Sequence, residues 1–165
     1  MTIEQQQALP LRRGIWTLDR PHTTVGFTAR HMGISRVRGQ FRDFTASIEV
    51  GDTLDTTSLA AQVQMASVDT DNPDRDDHLR SSDFFAIDQH PTMSFRSDSI
   101  RRLDEETFEL AGDLTIRGVT NRLAFELRFD GVETFPGDGS LHAGFTATAQ
   151  IDRTDYGVDF NVPLG

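Results

Sequence analysis

The chain has 165 residues, with 36% hydrophobic residues, 25% charged residues and no cysteine. These values are typical of one globular domain, and the missing cysteines exclude a disulfide framework, a thiolate metal site and a cysteine nucleophile. The formal net charge is −10, and all the basic residues are arginines. Nucleic acid is therefore a disfavoured partner, and catalysis through lysine is excluded.

The N-terminal segment, residues 1–13, is polar and contains one glutamate and three glutamines. A secretory signal would instead show basic residues followed by an apolar run. We therefore expect a mobile start, a single domain over residues 14–165 and a cytoplasmic location. A membrane-spanning helix would need about 18 consecutive apolar residues, and none is expected here.

Alternating apolar and polar residues predict β-strands along the first part of the chain. These strands lie, in chain order, at Gly14–Asp19, Val25–Ala29, Val37–Val50 and Leu59–Met65. Within the third strand, the apolar positions change from odd to even numbers near Arg42 and Asp43. This change of phase predicts a β-bulge or a sharp bend.

The segment 69–89 differs from its neighbours because it does not alternate and is rich in aspartate. Its Asn72 and Pro73, followed by acidic residues, are typical of a helix start. The sequence therefore predicts a short helix near residues 73–82.

Alternation returns after the helix and continues almost to the C-terminus. The strands predicted there are Met93–Phe95, Phe108–Ile116, Val119–Phe129 and Leu141–Ile151. About eight antiparallel strands predict an all-β domain, and we expect a barrel because closure removes exposed sheet edges. Small residues at inward positions, such as Ala61 and Ala147, favour an open cavity. Interdigitation of large and small side chains would instead fill the barrel, and the pattern alone leaves both alternatives open.

Several local strings occur in the same order as in a known family. They are WTLDRPHTTVGFTARHM (16–32), RVRGQFRDF (36–44), DNPDRDDHLRSSDFF (71–85), HPTMSF (90–95), GDLTIRGVT (112–120) and IDRTDYGV (151–158). From about Gly14 to its end, the chain resembles the YceI-like family of polyisoprenoid-binding, lipocalin-like proteins. The resemblance implies an eight-stranded antiparallel lipocalin-like barrel with a long apolar cavity, and a homodimer. It also implies a long-chain isoprenoid, quinone-like or fatty amphiphile as the ligand. Many relatives are exported.

An apolar cavity could hold such a ligand without specific hydrogen bonds, because buried apolar surface contributes about 25 cal/mol per Å2. We expect the lining to come from large apolar side chains on the inward faces of the strands. They are Phe27, Phe41, Val63, Met65, Phe95, Leu110, Leu114, Leu123, Phe125, Leu127 and Phe145. The alternative for each of them is packing within a solid core.

Polar candidates for the ligand's head group are few. His31 continues the parity of the strand Val25–Ala29, so it is expected to face inward, either as a head-group contact or as a structural histidine. Arg75, Asp76 and His78 match an Arg-Asp-x-His-Leu pattern of the family. Arg75 and His78 are three residues apart in the predicted helix and could together bind an anionic head. The alternative is a polar network that attaches the helix to the barrel.

Motifs of the common metal and catalytic sites do not occur. The sequence contains no H-E-x-x-H, no EF-hand loop, no G-x-S-x-G and no phosphate-binding loop. We therefore predict a carrier protein without metal, cofactor or catalytic residue. The alternatives are a hydrolase or isomerase acting on a lipid through His31 or through Arg75, Asp76 and His78, and a filled barrel acting through its surface.

Overall fold

The computed structural model describes residues 11–31 and 35–160, and only the backbone of residues 30, 31 and 35. These residues form ten strands and one short α-helix, which confirms the all-β prediction. The strands are β1 (Gly14–Thr17), β2 (Val25–His31), β3 (Ser35–Phe41), β4 (Phe44–Val50), β5 (Ser58–Gln64), β6 (Val68–Asp69), β7 (Thr92–Arg102), β8 (Thr107–Ile116), β9 (Val119–Thr134) and β10 (Leu141–Thr148), and the helix is α1 (Pro73–Arg80). Most of the predicted 1–13 segment lies outside the described residues.

The predicted count of eight strands was wrong for two reasons. The segment Val37–Val50, expected as one strand, is divided at Arg42 and Asp43 into β3 and β4, and these belong to different sheets. The change of phase therefore marks a sharp bend between the sheets. The second reason is β6, which has only two residues and is too short to show alternation.

The strands form two antiparallel sheets. Seven strands follow the order β1-β4-β5-β7-β8-β9-β10, and three follow the order β2-β3-β6. The larger sheet curls into a half-barrel, which is consistent with a lipocalin-like fold. Within the described residues no ladder joins its terminal strands, so the expected closed barrel is also corrected. β1 has only four residues, and they pair with β4.

One face of the larger sheet is apolar from β4 to β10. Residues that pair directly across antiparallel strands point to the same side of the sheet. The apolar pairs are Phe44–Val63, Ile48–Leu59, Ala61–Phe95, Phe95–Leu114, Leu110–Phe125, Phe108–Leu127 and Phe129–Phe145. The core lies on this face, and Phe41 of β3 and Val68 of β6 belong to it as well.

The helix α1 begins where the sequence predicted. The side chain of Asn72 caps it by accepting a hydrogen bond from the backbone N–H of Arg75 at 3.1 Å, and Pro73 follows at the first helical position. The helix ends at Arg80, close to the predicted end near residue 82.

Two β-bulges add to the curvature of the larger sheet. One lies in β7 between Ser97 and Ser99, and the other affects the pairing of β9 with β10 beside Gly144. Gly112 of β8 pairs with Ser97, and a Cβ on this glycine would overlap the backbone of Arg96. The close approach of the two strands at this bulge therefore requires glycine.

Candidate ligand-binding face and seam

The apolar face is closely covered at its centre and less covered on β9 and β10. Phe95, Leu110 and Leu114 are buried, whereas Phe125 and Phe145 are only half-buried. The aromatic rings along this gradient touch one another: the ring centroids of Phe95 and Phe125 are 5.0 Å apart, and those of Phe129 and Phe145 are 5.3 Å apart. The half-exposed part therefore presents aromatic surface on the concave side of the sheet.

The smaller sheet covers the other side of the core. Phe27 of β2 pairs with Gly39 of β3, and its ring occupies the space that a Cβ on Gly39 would need. The same ring lies 5.5 Å from the ring of Phe41, measured between centroids. This glycine therefore allows Phe27 to lie flat against its neighbouring strand.

The structure brings most of the predicted lining residues together. The buried members are Phe41, Val63, Met65, Phe95, Leu110, Leu114 and Leu127, and the half-buried ones are Phe27, Leu123, Phe125 and Phe145. The buried residues pack in the core, which is the alternative that the sequence left open for each of them. The half-buried residues remain partly exposed to solvent. The backbone of His31 is at the end of β2, and its side chain lies outside the described residues.

Arg75 and Asp76 take part in a polar network that holds α1 against the end of β6. The Oδ1 atom of Asp76, a residue that is 7% exposed, accepts hydrogen bonds from the backbone N–H and the hydroxyl of Thr70 at 3.0 and 2.6 Å. Arg75 donates from Nε to the Thr70 hydroxyl and from Nη2 to the Thr70 carbonyl, both at 2.7 Å. This network matches the structural alternative predicted for these residues.

His78 has different neighbours. Its Nε2 lies 2.9 Å from Oδ2 of Asp83, and the Phe84 and Phe160 rings pack nearly perpendicular to its imidazole, with 4.9 and 5.0 Å between centroids. Arg75 and His78 therefore bond to separate partners, and the structure shows no shared contact between them.

The two terminal strands of the larger sheet approach one another without pairing. We call this boundary between β1 and β10 the seam. A groove of about 390 Å3 follows it, lined by residues 12–17 on one side and 139–141 on the other. Trp16 lines the groove and donates from its indole nitrogen to the carbonyl of Arg12 at 2.8 Å. The seam is the place where β1 and β10 would pair in a closed barrel.

Exposed apolar side chains concentrate at this end of the sheet. Among the described residues seven large hydrophobic side chains are exposed, and four of them lie at or next to the seam: Ile15, Val132, Phe135 and Leu141. Ile15 and Leu141 face the groove from opposite sides. Clusters of exposed apolar residues are uncommon on monomeric proteins and indicate a contact surface.

A chain of polar side-chain contacts crosses the seam. Nδ1 of His142 in β10 lies 3.2 Å from Oδ2 of Asp19, which follows β1, and Nε2 of His142 lies 3.0 Å from the hydroxyl of Ser140. That hydroxyl donates to Asp138 at 2.6 Å and lowers the pKa of the Asp138 carboxyl. The sequence contains no motif that marks a serine with a histidine partner, and Asp19 is remote from both residues in the chain.

The direction of these hydrogen bonds distinguishes the chain from a catalytic triad. A hydroxyl has one proton, and Ser140 gives it to Asp138, so Nε2 of His142 must donate to the hydroxyl. A general base would accept the serine proton instead. Nδ1 of His142 faces the carboxylate of Asp19.

The described histidines do not gather into a metal site. Within residues 11–31 and 35–160 no three His, Asp or Glu side chains are placed to share a metal ion. His22 contacts Asp19 at 3.0 Å, whereas His78 is paired with Asp83. In the same part of the chain no helix is both long and apolar enough to cross a membrane.

Comparisons with known proteins agree on one family. The model of the YceI-like domain matches residues 16–165. The chain is 36% identical over 151 residues to a UPF0312 protein of Staphylococcus aureus strain N315, covering 90% of this chain and 85% of that protein. Among solved structures, the YceI protein of Campylobacter jejuni is 35% identical, with a TM-score of 0.69 over 86% of this chain and 83% of that one.

A more remote structure has the same fold. It is a polyisoprenoid binding domain from Saccharophagus degradans, and its TM-score is 0.59 over 90% of this chain and 83% of that one. Its sequence identity is 12%, so the similarity is one of fold.

Proposed function

The chain belongs to the family of YceI-like domains, and from this premise we propose that it is a non-catalytic carrier of a long-chain isoprenoid or a similar amphiphile. The ligand's hydrocarbon chain lies along the apolar face of the half-barrel, next to the half-exposed aromatic residues of β9 and β10.

The main support is the gradient of burial on that face. Leu123, Phe125, Phe129 and Phe145 are all half-buried although they share a face with the packed core. An apolar chain laid on this surface removes further apolar area from water, which contributes about 25 cal/mol per Å2. Aromatic side chains provide large contact areas with few rotatable bonds, so they bind a flexible chain at a small entropic cost.

The relatives provide a second line of support. The Saccharophagus degradans domain is named for binding polyisoprenoids, and this chain has its fold. A fold by itself does not determine a ligand. The proposal therefore depends on the apolar face, and the shared fold adds support to it.

The contacts of the polar candidate residues favour a ligand that is bound mainly through its hydrocarbon chain. Arg75 and Asp76 are bonded to Thr70, and His78 is bonded to Asp83, so none of these described side chains needs a ligand to satisfy it. We therefore expect loose selectivity for the head group. The hydrolase or isomerase alternative predicts turnover that is lost in His78→Ala, whereas a carrier shows no turnover with or without that substitution.

A binding titration tests the proposal. The probe is dansyl-labelled geranylgeraniol, which is neutral and contains an isoprenoid chain. Phe125→Trp enlarges a side chain on the apolar face, and overpacking of about 1–3 kcal/mol predicts about tenfold weaker binding. Phe135→Trp makes the same change at an exposed ring outside the face, so it should bind as the wild type does. Equal affinities for the two variants would contradict the proposal.

The cytoplasmic location and the homodimer expected from the sequence stay predictions. Cell fractionation tests the first, and sedimentation equilibrium of the purified chain tests the second.

A further inference from the structure

The apolar face of β9 and β10 has two ends that differ in how they are closed. We call the end at the turn between β8 and β9 the turn end, and the end at the hairpin between β9 and β10 the hairpin end. We propose that the ligand lies on this face in one direction, with its hydrocarbon end against Tyr156 at the turn end and its polar head at the hairpin end. This inference rests on the proposed function, because it specifies how the ligand is oriented in that site and which ligands the site rejects.

The first argument is that Tyr156 closes the turn end. Tyr156 lies in the segment that follows β10, is 3% exposed and belongs to the hydrophobic core. Burial raises the pKa of its phenol, and the neighbouring side chain of Asn121 opposes this rise. Asn121 pairs with Leu114 and is two residues from Leu123, so it lies on the same side of β9 as the half-buried lining residues. The Tyr156 side chain is therefore placed where the apolar face meets the turn end.

The second argument is that Tyr156 is held in place from both sides. Asn121 donates from Nδ2 to the carbonyl of Asp155 at 2.7 Å, and Arg117 donates from Nη1 to the carbonyl of Gly157 at 2.8 Å. These two carbonyls belong to the residues immediately before and after Tyr156. Because the donors belong to β9 and to the turn that precedes it, the segment is fastened to the larger sheet. A ligand chain that reaches this end therefore meets a fixed, buried ring.

The third argument is that the apolar side continues to the hairpin end and is exposed there. Ala143 and Leu141 follow the same period of two as Phe145 in β10, so they lie on the same side of the sheet as that ring. Val132 pairs with Ala143 and lies on this side as well. Val132 is 40% exposed and Leu141 is 37% exposed. A ligand on the apolar face can therefore extend into solvent at this end, and its head can stay hydrated there.

Charge favours the same direction. Arg102 lies at the turn between β7 and β8, which is on the side of the hairpin end because β8 and β9 are antiparallel. It pairs with Phe108, and its guanidinium carbon lies 4.9 Å from the centroid of that ring. The same guanidinium donates to the carbonyls of Asp104 and Glu105 at 3.3 and 2.9 Å. A polar head is compatible with these surroundings, whereas a hydrocarbon end would desolvate polar groups without replacing their bonds to water.

The dimensions of the face predict a selectivity. Leu123 and Phe129 are the first and last half-buried large apolar residues of β9, and the six residues between these positions correspond to about 20 Å at a rise of about 3.3 Å per residue. A chain that covers this stretch has its end next to Asn121 and Tyr156. A bulky polar group at that end would have to displace a buried ring, whereas the same group on the head would lie in solvent. The site should therefore reject ligands that are modified at the hydrocarbon end and accept ligands that are modified at the head.

A pair of labelled ligands tests the direction. Both are geranylgeraniol with one dansyl group, which is attached at the hydroxyl in the head-labelled ligand and at the terminal methyl carbon in the end-labelled ligand. Fluorescence titration measures their dissociation constants, and competition with unlabelled geranylgeraniol shows that they share its site. We expect the end-labelled ligand to bind at least about tenfold more weakly than the head-labelled one, because its label overpacks the closed end.

Substitutions test the part that Tyr156 plays in this selection. Tyr156→Ala removes the ring and should reduce the difference between the two ligands to about threefold or less, because space becomes available at the turn end. Tyr156→Phe keeps the ring and should retain the selection. Phe135→Ala removes an exposed ring just beyond β9, at the opposite end, and is the matched control for the loss of an aromatic side chain. Circular dichroism shows whether each variant is folded.

A photo-cross-link on the wild-type chain reports the direction even if Tyr156→Ala does not fold. Geranylgeraniol with a diazirine at the terminal carbon of its chain is bound and irradiated, and the labelled positions are mapped by mass spectrometry of proteolytic peptides. We expect the labels near Asn121 and Tyr156 and not within residues 132–141.

The outcomes separate this proposal from the proposed function. If unlabelled geranylgeraniol does not bind, the proposed function and the direction are both overturned. Equal affinities for the two labelled ligands, or cross-links within residues 132–141, would overturn the direction and leave the carrier function intact. A difference that persists in folded Tyr156→Ala would contradict the role of Tyr156.

Discussion

The centre and the margin of the larger sheet share one sequence pattern but differ in what covers them. At the centre, Phe108 of β8 is 0% exposed and is surrounded by the core, whereas Phe135, just beyond β9, is 47% exposed and contacts His142. Alternation of apolar residues places both regions in β-structure but does not say which face is covered. The comparison indicates that the stability of the sheet depends on its centre, whereas its margin leaves large apolar side chains exposed.

The largest expected effect comes from removing a ring at the centre. Phe108→Ala should lower the free energy of unfolding by about 3–5 kcal/mol, because it removes a fully buried ring and leaves a cavity. Phe135→Ala removes the same side chain from the margin and should change stability by less than about 0.5 kcal/mol. Urea denaturation of both variants measures the difference, and similar losses would contradict the distinction between centre and margin.

A smaller loss of stability is expected when the polar network between α1 and the end of β6 is broken. Asp76→Ala leaves the backbone N–H and hydroxyl of Thr70 without their acceptor and should cost about 1–3 kcal/mol of stability. Affinity for the labelled isoprenoid should stay at the wild-type value. If Asp76→Ala lost binding and kept its stability, Asp76 would have a ligand-related role instead of a structural one.

The cap of α1 offers a more modest test. Asn72→Ala removes the acceptor for the Arg75 backbone N–H and should destabilise the protein by about 1 kcal/mol. Asn72→Asp retains a capping oxygen and serves as the control, with stability close to wild type. Thermal unfolding followed by circular dichroism distinguishes the two variants.

The smallest expected effect is on the loss of stability in acidic solution. The backbone N–H of Asp71 and the guanidinium of Arg42 lower the pKa of Asp69 from its ordinary value of 3.8. A lowered pKa means that this carboxylate stabilises the fold above pH 3.8 and that the contribution is lost as the pH falls through the folded-state pKa. Asp69→Asn should therefore reduce the difference in unfolding free energy between neutral and strongly acidic solution. An unchanged difference would contradict this assignment.

Local sequence signals were sufficient for most of the individual elements, but not for the two-residue strand β6. Alternation located the strands, and Asn72 with Pro73 marked the start of α1. The phase change at Arg42 and Asp43 indicated the bend, but a period of two does not tell whether the strands on its two sides share a sheet. For the same reason the lack of a ladder between the terminal strands was not visible in the sequence.

The sequence predicted which residues belong to the candidate site, but it did not predict which of their side chains are exposed. Parity placed Phe95, Phe125 and Phe145 on one face, and the structure confirms that placement. A period of two does not tell which of them other parts of the chain cover. Helical spacing also suggested that Arg75 and His78 act together, yet each has its own partner.

The most direct test of the carrier function is retention of an unlabelled isoprenoid. Ligand-free protein is incubated with geranylgeraniol, freed of excess by gel filtration, extracted with denaturing organic solvent and analysed by mass spectrometry. Binding along the apolar face predicts that the wild type retains about one isoprenoid per chain and that Phe125→Trp retains clearly less, as expected for occupation of a preformed apolar site. Wild-type protein that emerges without isoprenoid would contradict the account.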